Sequence, residues 1–234
     1  KKICVAYDGM EKFFEKDKII LTGNPVRQGL LNAHITKEEA VASFGLDPNK
    51  KTILIVGGSL GARTLNQCMI AGLGKIKASD VQFIWQTGKI YFEQAKTAVA
   101  KAGDLPMLYV MDFISKMEDA YSAADLVISR AGAGSISEFC LLSKPVVLVP
   151  SPNVAEDHQT KNALALVEKD AALYVKDSEA NEKLLDVAME TVHKEDILKG
   201  LSANIAKLAH VDSANIIAEE VYKLAEKYKK GHGY

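Results

Sequence analysis

Two stretches of this sequence place glycines beside hydroxyl and charged residues, directly after apolar runs. Gly57-Gly58-Ser59-Leu60-Gly61-Ala62-Arg63 follows Ile53-Leu54-Ile55-Val56. Small residues there let backbone N–H groups approach a phosphate at a helix N-terminus. The spacing is not that of a dinucleotide fingerprint, because counting from Gly57 the required glycines fall on Ser59 and Ala62. Gly57, Gly58, Ser59 and Gly61 are therefore candidates for holding an anion, although a plain strand-to-helix turn has the same composition. The second stretch, Ser129-Arg130-Ala131-Gly132-Ala133-Gly134-Ser135-Ile136-Ser137-Glu138, follows Leu126-Val127-Ile128. Gly132 and Gly134 are candidates to face phosphate. Glu138 falls about one turn inside the following helix, where a carboxylate can accept both hydroxyls of a ribose. The three-residue spacing from Ser135 equally fits a capping box.

Three further segments carry polar or presented groups. Pro150-Ser151-Pro152-Asn153-Val154-Ala155-Glu156-Asp157-His158-Gln159 opens a helix with a polar cluster. His158 and Gln159 suit sugar hydroxyls, or are a solvated surface pair. Asn24-Pro25-Val26-Arg27 follows a short strand, Ile19-Ile20-Leu21, and Pro25 restricts both itself and Asn24. Arg27 is thereby aimed at a phosphate or nucleobase, or is a surface cation. Asp112-Phe113-Ile114 offers two exposed-looking apolar residues that can close over a flat base or pack as an ordinary loop. No spacing such as His-Glu-x-x-His marks a metal site, and no metal or other cofactor is expected.

The elements that position these loops are legible as short β-branched runs alternating with helical patterns. That alternation predicts an α/β fold, a parallel sheet with helices on both faces. The strands are Ile53-Val56, Val81-Trp85, Met107-Val110, Leu126-Ile128 and Val146-Val149, with helix-length stretches near 62–76, 90–101, 116–123, 135–142 and 157–168. Lys1-Lys2-Ile3-Cys4-Val5 reads as a further short strand with no helix before it, as in a fragment of something longer. From about 178 the pattern becomes three helical segments without strands, a helical tail on one domain spanning 1–234. The last segment bears Ile216, Ile217, Val221, Leu224 and Tyr228 at helical spacing, one apolar stripe. In such sheets ligands lie outside the carboxyl ends of the strands, where all these loops fall.

Composition narrows the function classes. Lys+Arg 29 against Asp+Glu 30 gives a formal net charge of -1, so no global attraction to nucleic acid is expected. Cys4, Cys68 and Cys140 are odd in number and scattered, which suits neither a disulfide framework nor a metal site and points to a reducing, cytoplasmic setting. No apolar run approaches the roughly 20 residues needed to span a bilayer.

Taken in order, Thr22-Gly23-Asn24-Pro25-Val26-Arg27, Gly57-Gly58-Ser59-Leu60-Gly61-Ala62, Ser129-Arg130-Ala131-Gly132-Ala133 with Glu138, and His158-Gln159 with Asn162-Ala163 resemble the C-terminal domain of the MurG family. The resemblance covers roughly residues 3–225. It implies a Rossmann-like domain, the C-terminal half of a GT-B type glycosyltransferase that binds UDP-N-acetylglucosamine. The whole enzyme of that family transfers N-acetylglucosamine to lipid I, making lipid II for peptidoglycan, peripherally on the cytoplasmic face of the bacterial inner membrane.

By the same resemblance, Arg27 lies near the nucleotide and Ser59 contacts the donor. Ile114 reads uracil through its main chain, Ala133 faces sugar and phosphate, and Glu138 holds the ribose. Gln159 meets a sugar hydroxyl, and His158 stands where some relatives carry a second glutamine. The family's acceptor-binding N-terminal domain, with its catalytic groups, has no counterpart here, so the resemblance implies a donor-binding half without catalytic residues of its own. The rivals are a UDP-N-acetylglucosamine epimerase half, a non-catalytic donor-binding subunit of a split transferase, and a nicotinamide-dependent oxidoreductase.

Overall fold

A computed structural model describes residues 2–7, 9–31, 35–152 and 157–231. Six parallel strands form its main sheet: β3 (Thr52–Val56), β4 (Gln82–Gln86), β5 (Leu108–Met111), β6 (Leu126–Ser129), β7 (Val146–Leu148) and β8 (Leu173–Tyr174), in the spatial order β5-β4-β3-β6-β7-β8. Counted within this sheet the order is 3-2-1-4-5-6, that of doubly wound nucleotide-binding folds, and the chain reverses direction across the sheet between β3 and β6. Two earlier strands, β1 (Ile3–Val5) and β2 (Ile19–Leu21), pair in parallel as a separate two-stranded sheet.

The four central strands β3, β4, β6 and β7 read as largely apolar runs because each is covered on both faces. Leu54, Val56, Ile84, Val127, Val146 and Leu148 belong to one core. Ile53, Ile55, Phe83, Trp85, Leu126, Ile128, Val147 and Val149 belong to the other. The side-chain period of two sorts alternate residues onto opposite faces. Helices α1 (Lys37–Ser43), α5 (Met117–Ala123), α6 (Ala133–Leu141) and α7 (His158–Val167) contribute to the first core. Helices α2 (Arg63–Ala71), α3 (Leu73–Ala78), α4 (Phe92–Ala102) and α8 (Ala180–Val192) cover the second.

The expected strands and helices form, with four differences. The stretch 62–76 is two helices, broken at Gly72, where a Cβ would fall 2.0 Å from Leu185 Cδ1 on α8. Helix α1 and strand β8 are additional. The helix after β6 begins at Ala133, with Gly132 as its N-cap, so Ser135 caps nothing and the capping-box alternative for Glu138 is excluded. After α8, the tail continues as α9 (Glu195–Ala206) and α10 (Ser213–Gly231). Of the stripe on α10, Ile216 and Ile217 are half-buried while Val221, Leu224 and Tyr228 are exposed.

Candidate functional site

The two glycine-rich loops leave the sheet side by side. Val56 and Ser129, the last residues of β3 and β6, are register partners, so Gly57 and Arg130 start from adjacent strand ends at the reversal point. Neither following helix has a side-chain cap, its N-caps being Ala62 and Gly132. The first-turn N–H groups of α2 and α6 therefore have no capping side chain and are available to an anion.

The first loop is held by close backbone packing. Gly58 and Gly61 have φ of 80° and 82°, in the left-handed region that glycine tolerates. A Cβ on Gly61 would fall 2.1 Å from the Thr87 carbonyl oxygen, so this loop lies directly on the one after β4. Gln86 Nε2 donates to Gly58 O at 3.2 Å, while Ser59 stands exposed at the turn. Beneath them Asn66 Nδ2 donates to Ala62 O at 3.1 Å and Thr87 O at 2.9 Å.

The segment Asn24–Arg27 is brought onto α6. Gly23, at φ 74°, packs so tightly on the segment that leads into α10 that a Cβ would fall 2.4 Å from His210 Cβ. Asn24 Nδ2 then donates to Ser137 Oγ at 3.1 Å and to Ala133 O at 3.5 Å. Arg27 Nη2 lies 3.6 Å from Glu138 Oε1, the arginine side chain 63% exposed and the glutamate 18%. Arg27 and Glu138, read separately from the sequence, thus share one site, and Ala133 is at its edge as the first residue of α6.

Tyr121 on α5, a residue no motif marks, donates its hydroxyl to Glu138 Oε2 at 2.7 Å. Its ring is 3% exposed and packs edge-on against Phe139, with centroids 5.9 Å apart. Burial, reinforced by the neighbouring Glu138 charge and the bond to it, pushes the phenol pKa up, so the group stays a neutral donor.

The remaining candidates divide. The Ile114 side chain is 3% exposed in the first core, which corrects the reading of two exposed apolar residues: only Phe113, at 49%, faces outward. Gln159 Oε1 accepts the Ser151 N–H at 2.9 Å. A backbone N–H can only donate, which assigns the amide orientation and leaves Nε2 as the end able to reach a ligand. His158, the first residue of α7, is exposed. Asn162 Nδ2 donates to Ala131 O at 3.2 Å, tying α7 to the second loop. The calls on Asn153, Val154, Ala155 and Glu156 lie outside the described residues. Ser59 follows β3, Ile114 follows β5 and His158 opens α7 after β7, so all three lie at the same end of the sheet as Glu138.

A half-buried ion pair braces the same end of the sheet. Arg130 Nη1 donates to Val149 O at 3.0 Å, to Pro150 O at 3.2 Å and to Asp177 Oδ1, and Asp177 Oδ2 accepts from Thr64 Oγ1 at 3.0 Å. Arg130 therefore links the ends of β6 and β7 and, through Asp177, Thr64 of α2. A separate open groove of about 540 Å³, lined by Lys51, Asp125, Glu195 and Lys199, lies at the opposite, amino-terminal end of the sheet. Its charges are already matched, as in the 3.0 Å Lys51–Glu195 pair.

Comparison with known proteins agrees with this fold. The chain is 76% identical over 232 residues to the UDP-N-acetylglucosamine--N-acetylmuramyl-(pentapeptide) pyrophosphoryl-undecaprenol N-acetylglucosamine transferase of Phocaeicola vulgatus, covering 99% of this chain and 62% of that protein. It is 50% identical to the protein of the same name from Porphyromonas gingivalis, covering 99% of this chain and 61% of that one. The chain thus spans about three fifths of the length of these relatives. The crystal structure of Acinetobacter baumannii MurG superposes with a TM-score of 0.71 at 28% identity, over 95% of this chain and 61% of that one. A UDP-GlcNAc 2-epimerase from Neisseria meningitidis superposes with a TM-score of 0.67 at 15% identity, over 92% and 58%, a likeness of fold alone. The family profile described as glycosyltransferase family 28 C-terminal domain matches residues 52–219, a span that contains every strand of the main sheet. The chain belongs to the glycosyltransferase family 28 C-terminal domain family.

Proposed function

We propose that this chain binds UDP-N-acetylglucosamine as the donor half of an inverting glycosyltransferase that transfers N-acetylglucosamine to lipid I. The observation that carries this reading is the Glu138 carboxylate, held by the Tyr121 hydroxyl and beside Arg27, on the helix that the second glycine-rich loop opens. The name borne by the relatives supports the same transfer. In this reading Glu138 accepts the ribose hydroxyls, and the amides of Gly57, Gly58, Gly61, Gly132, Ala133 and Gly134, with Ser59 and Arg27, offset the pyrophosphate charge. The main chain of Ile114 reads the uracil edge, and the Nε2 of Gln159 and the ring of His158 meet the sugar. The acceptor and the catalytic base belong to a preceding domain, so residues 1–234 form the donor unit, with 178–234 as its helical tail. The whole enzyme works peripherally on the cytoplasmic membrane face. Among the described residues no helix is long and apolar enough to cross a membrane.

Calorimetric titration with UDP-N-acetylglucosamine, UDP, UDP-glucose, GDP-mannose and NADH tests the reading. Preference for the first two is expected, with no transfer to lipid I by this chain alone. Transfer would place the base here, and binding of NADH in preference to UDP would replace the donor class.

A further inference from the structure

We propose that Tyr121 is a positioning residue for ribose recognition: its buried hydroxyl fixes the Glu138 carboxylate so that the site prefers a ribonucleotide to its 2′-deoxy counterpart. The inference rests on the reading of Glu138 as the ribose-binding group and extends it to a residue that touches no ligand.

A glutamate side chain has three rotatable bonds, and one emerging from the middle of α6 can sweep a wide arc unless something stops it. Here each oxygen has a partner. Oε2 accepts the Tyr121 hydroxyl at 2.7 Å, and Oε1 faces Arg27 Nη2 at 3.6 Å. The two partners are unequal. Arg27 is 63% exposed on its side chain, whereas Tyr121 is 3% exposed and packed edge-on against Phe139 of α6 itself. The tyrosine is therefore the buried stop and the arginine the solvent-facing partner.

A carboxylate oxygen has two acceptor directions, so a bond from Tyr121 leaves Oε2 able to accept a second hydrogen while Oε1 accepts another. That arrangement suits two adjacent hydroxyls, as on a ribose. It gives less to a deoxyribose, which offers one hydroxyl to a carboxylate already held for two. The phenol also adds no charge to the site and so does not compete with Arg27 for the phosphates.

The test uses the full chain and compares binding of UDP and 2′-deoxy-UDP to the wild type, Tyr121→Phe, Glu138→Gln and the double variant. Tyr121→Phe keeps the ring and its packing on Phe139. It is expected to weaken UDP about tenfold, the scale of one hydrogen bond to a charged group, and 2′-deoxy-UDP no more than about threefold, so that the preference for ribose narrows. In the Glu138→Gln background the same change is expected to add nothing. A merely structural role moves stability or both affinities together and leaves their ratio alone. Equal weakening of the two ligands, or none, overturns the inference even if Glu138→Gln selectively weakens UDP. If Glu138→Gln leaves UDP binding unchanged, or the wild type binds no UDP, the ribose reading of Glu138 falls and the inference with it.

Discussion

Trp85 donates its indole N–H to Asn66 Oδ1 at 2.9 Å, and both side chains are buried. The other end of the same amide holds the Ala62 and Thr87 carbonyls, so one side chain on α2 braces a central strand and the two loops that follow β3 and β4. Asn66→Ala strands the buried indole N–H and removes a partner from Thr87 O. A loss of about 2–4 kcal/mol is expected at one or more kcal/mol per unsatisfied group, read by urea unfolding, with weaker UDP binding as the glycine loop loosens.

Gly61 and Gly58 share a left-handed backbone but not the same surroundings. A Cβ on Gly58 meets open space, and one on Gly61 meets backbone at 2.1 Å. Gly58→Ala is expected to cost only the conformational strain, about 1–2 kcal/mol. Gly61→Ala must in addition push the two loops apart and is expected to abolish UDP binding. Thermal unfolding and calorimetry of the two variants check the contrast.

The Arg130 and Asp177 side chains are only 15% and 21% exposed. Asp177→Ala leaves a half-buried guanidinium without its counter-charge, and a loss of about 1–3 kcal/mol is expected. Arg130→Met combined with Asp177→Leu removes both charges and should recover much of that stability. Donor affinity is expected to stay low in the double variant, because the ends of β6 and β7 lose their tie to Thr64. A double-mutant cycle on unfolding and on UDP binding separates the two effects.

Lys144 reaches the Ala124 carbonyl at 3.1 Å, and its burial lowers the ammonium pKa to about 8, partly opposed by the charge of Asp125. The folded state therefore loses this proton at a lower pH than the unfolded chain does. Between pH 8 and about 10 the unfolded chain binds more protons, so unfolding free energy should rise with pH through that window. Lys144→Met is expected to flatten the rise and to be the more stable form at pH 7. Urea titrations at several pH values show either result directly.

Gln159→Ala removes the acceptor of the Ser151 N–H together with the amide end that faces outward. Affinity for UDP-N-acetylglucosamine is expected to fall about fivefold or more, within the range for one lost hydrogen bond, while affinity for UDP holds. The same comparison for His158→Ala is expected to show a smaller loss. Equal losses for both ligands would move these residues from the sugar to the nucleotide.

The main sheet was legible because β3, β4, β6 and β7 are buried on both faces and so read as largely apolar runs. Strand β8 escaped notice because two residues between Ala172 and Val175 carry no period. Helix α1 did leave a signal: Thr36 and Glu39 form a full capping box, with bonds of 3.2 Å and 3.0 Å, at a spacing visible in the sequence. The loops of the site were legible from their glycines and from Pro25. What positions them was not, because Tyr121 with Glu138, Asn66 with Trp85 and Thr64 with Asp177 are pairings across 17, 19 and 113 positions, joined only when helices and strands pack. Ile114 misled for a related reason: loop composition does not tell which of two adjacent apolar side chains turns inward.

The pairing of Val56 with Ser129 has a kinetic consequence. All of β4 and β5 lie in the chain between these two residues, so the mouth between the glycine loops closes only across a long excursion of chain. Contacts of that separation are slow to form. A nascent chain cannot present the mouth until α6 has been synthesised, and a ligand bound there recognises a nearly complete sheet. UDP should therefore act as a brake on unfolding while leaving the refolding rate almost untouched, because the interactions it makes are absent from any transition state in which β3 and β6 have not yet met.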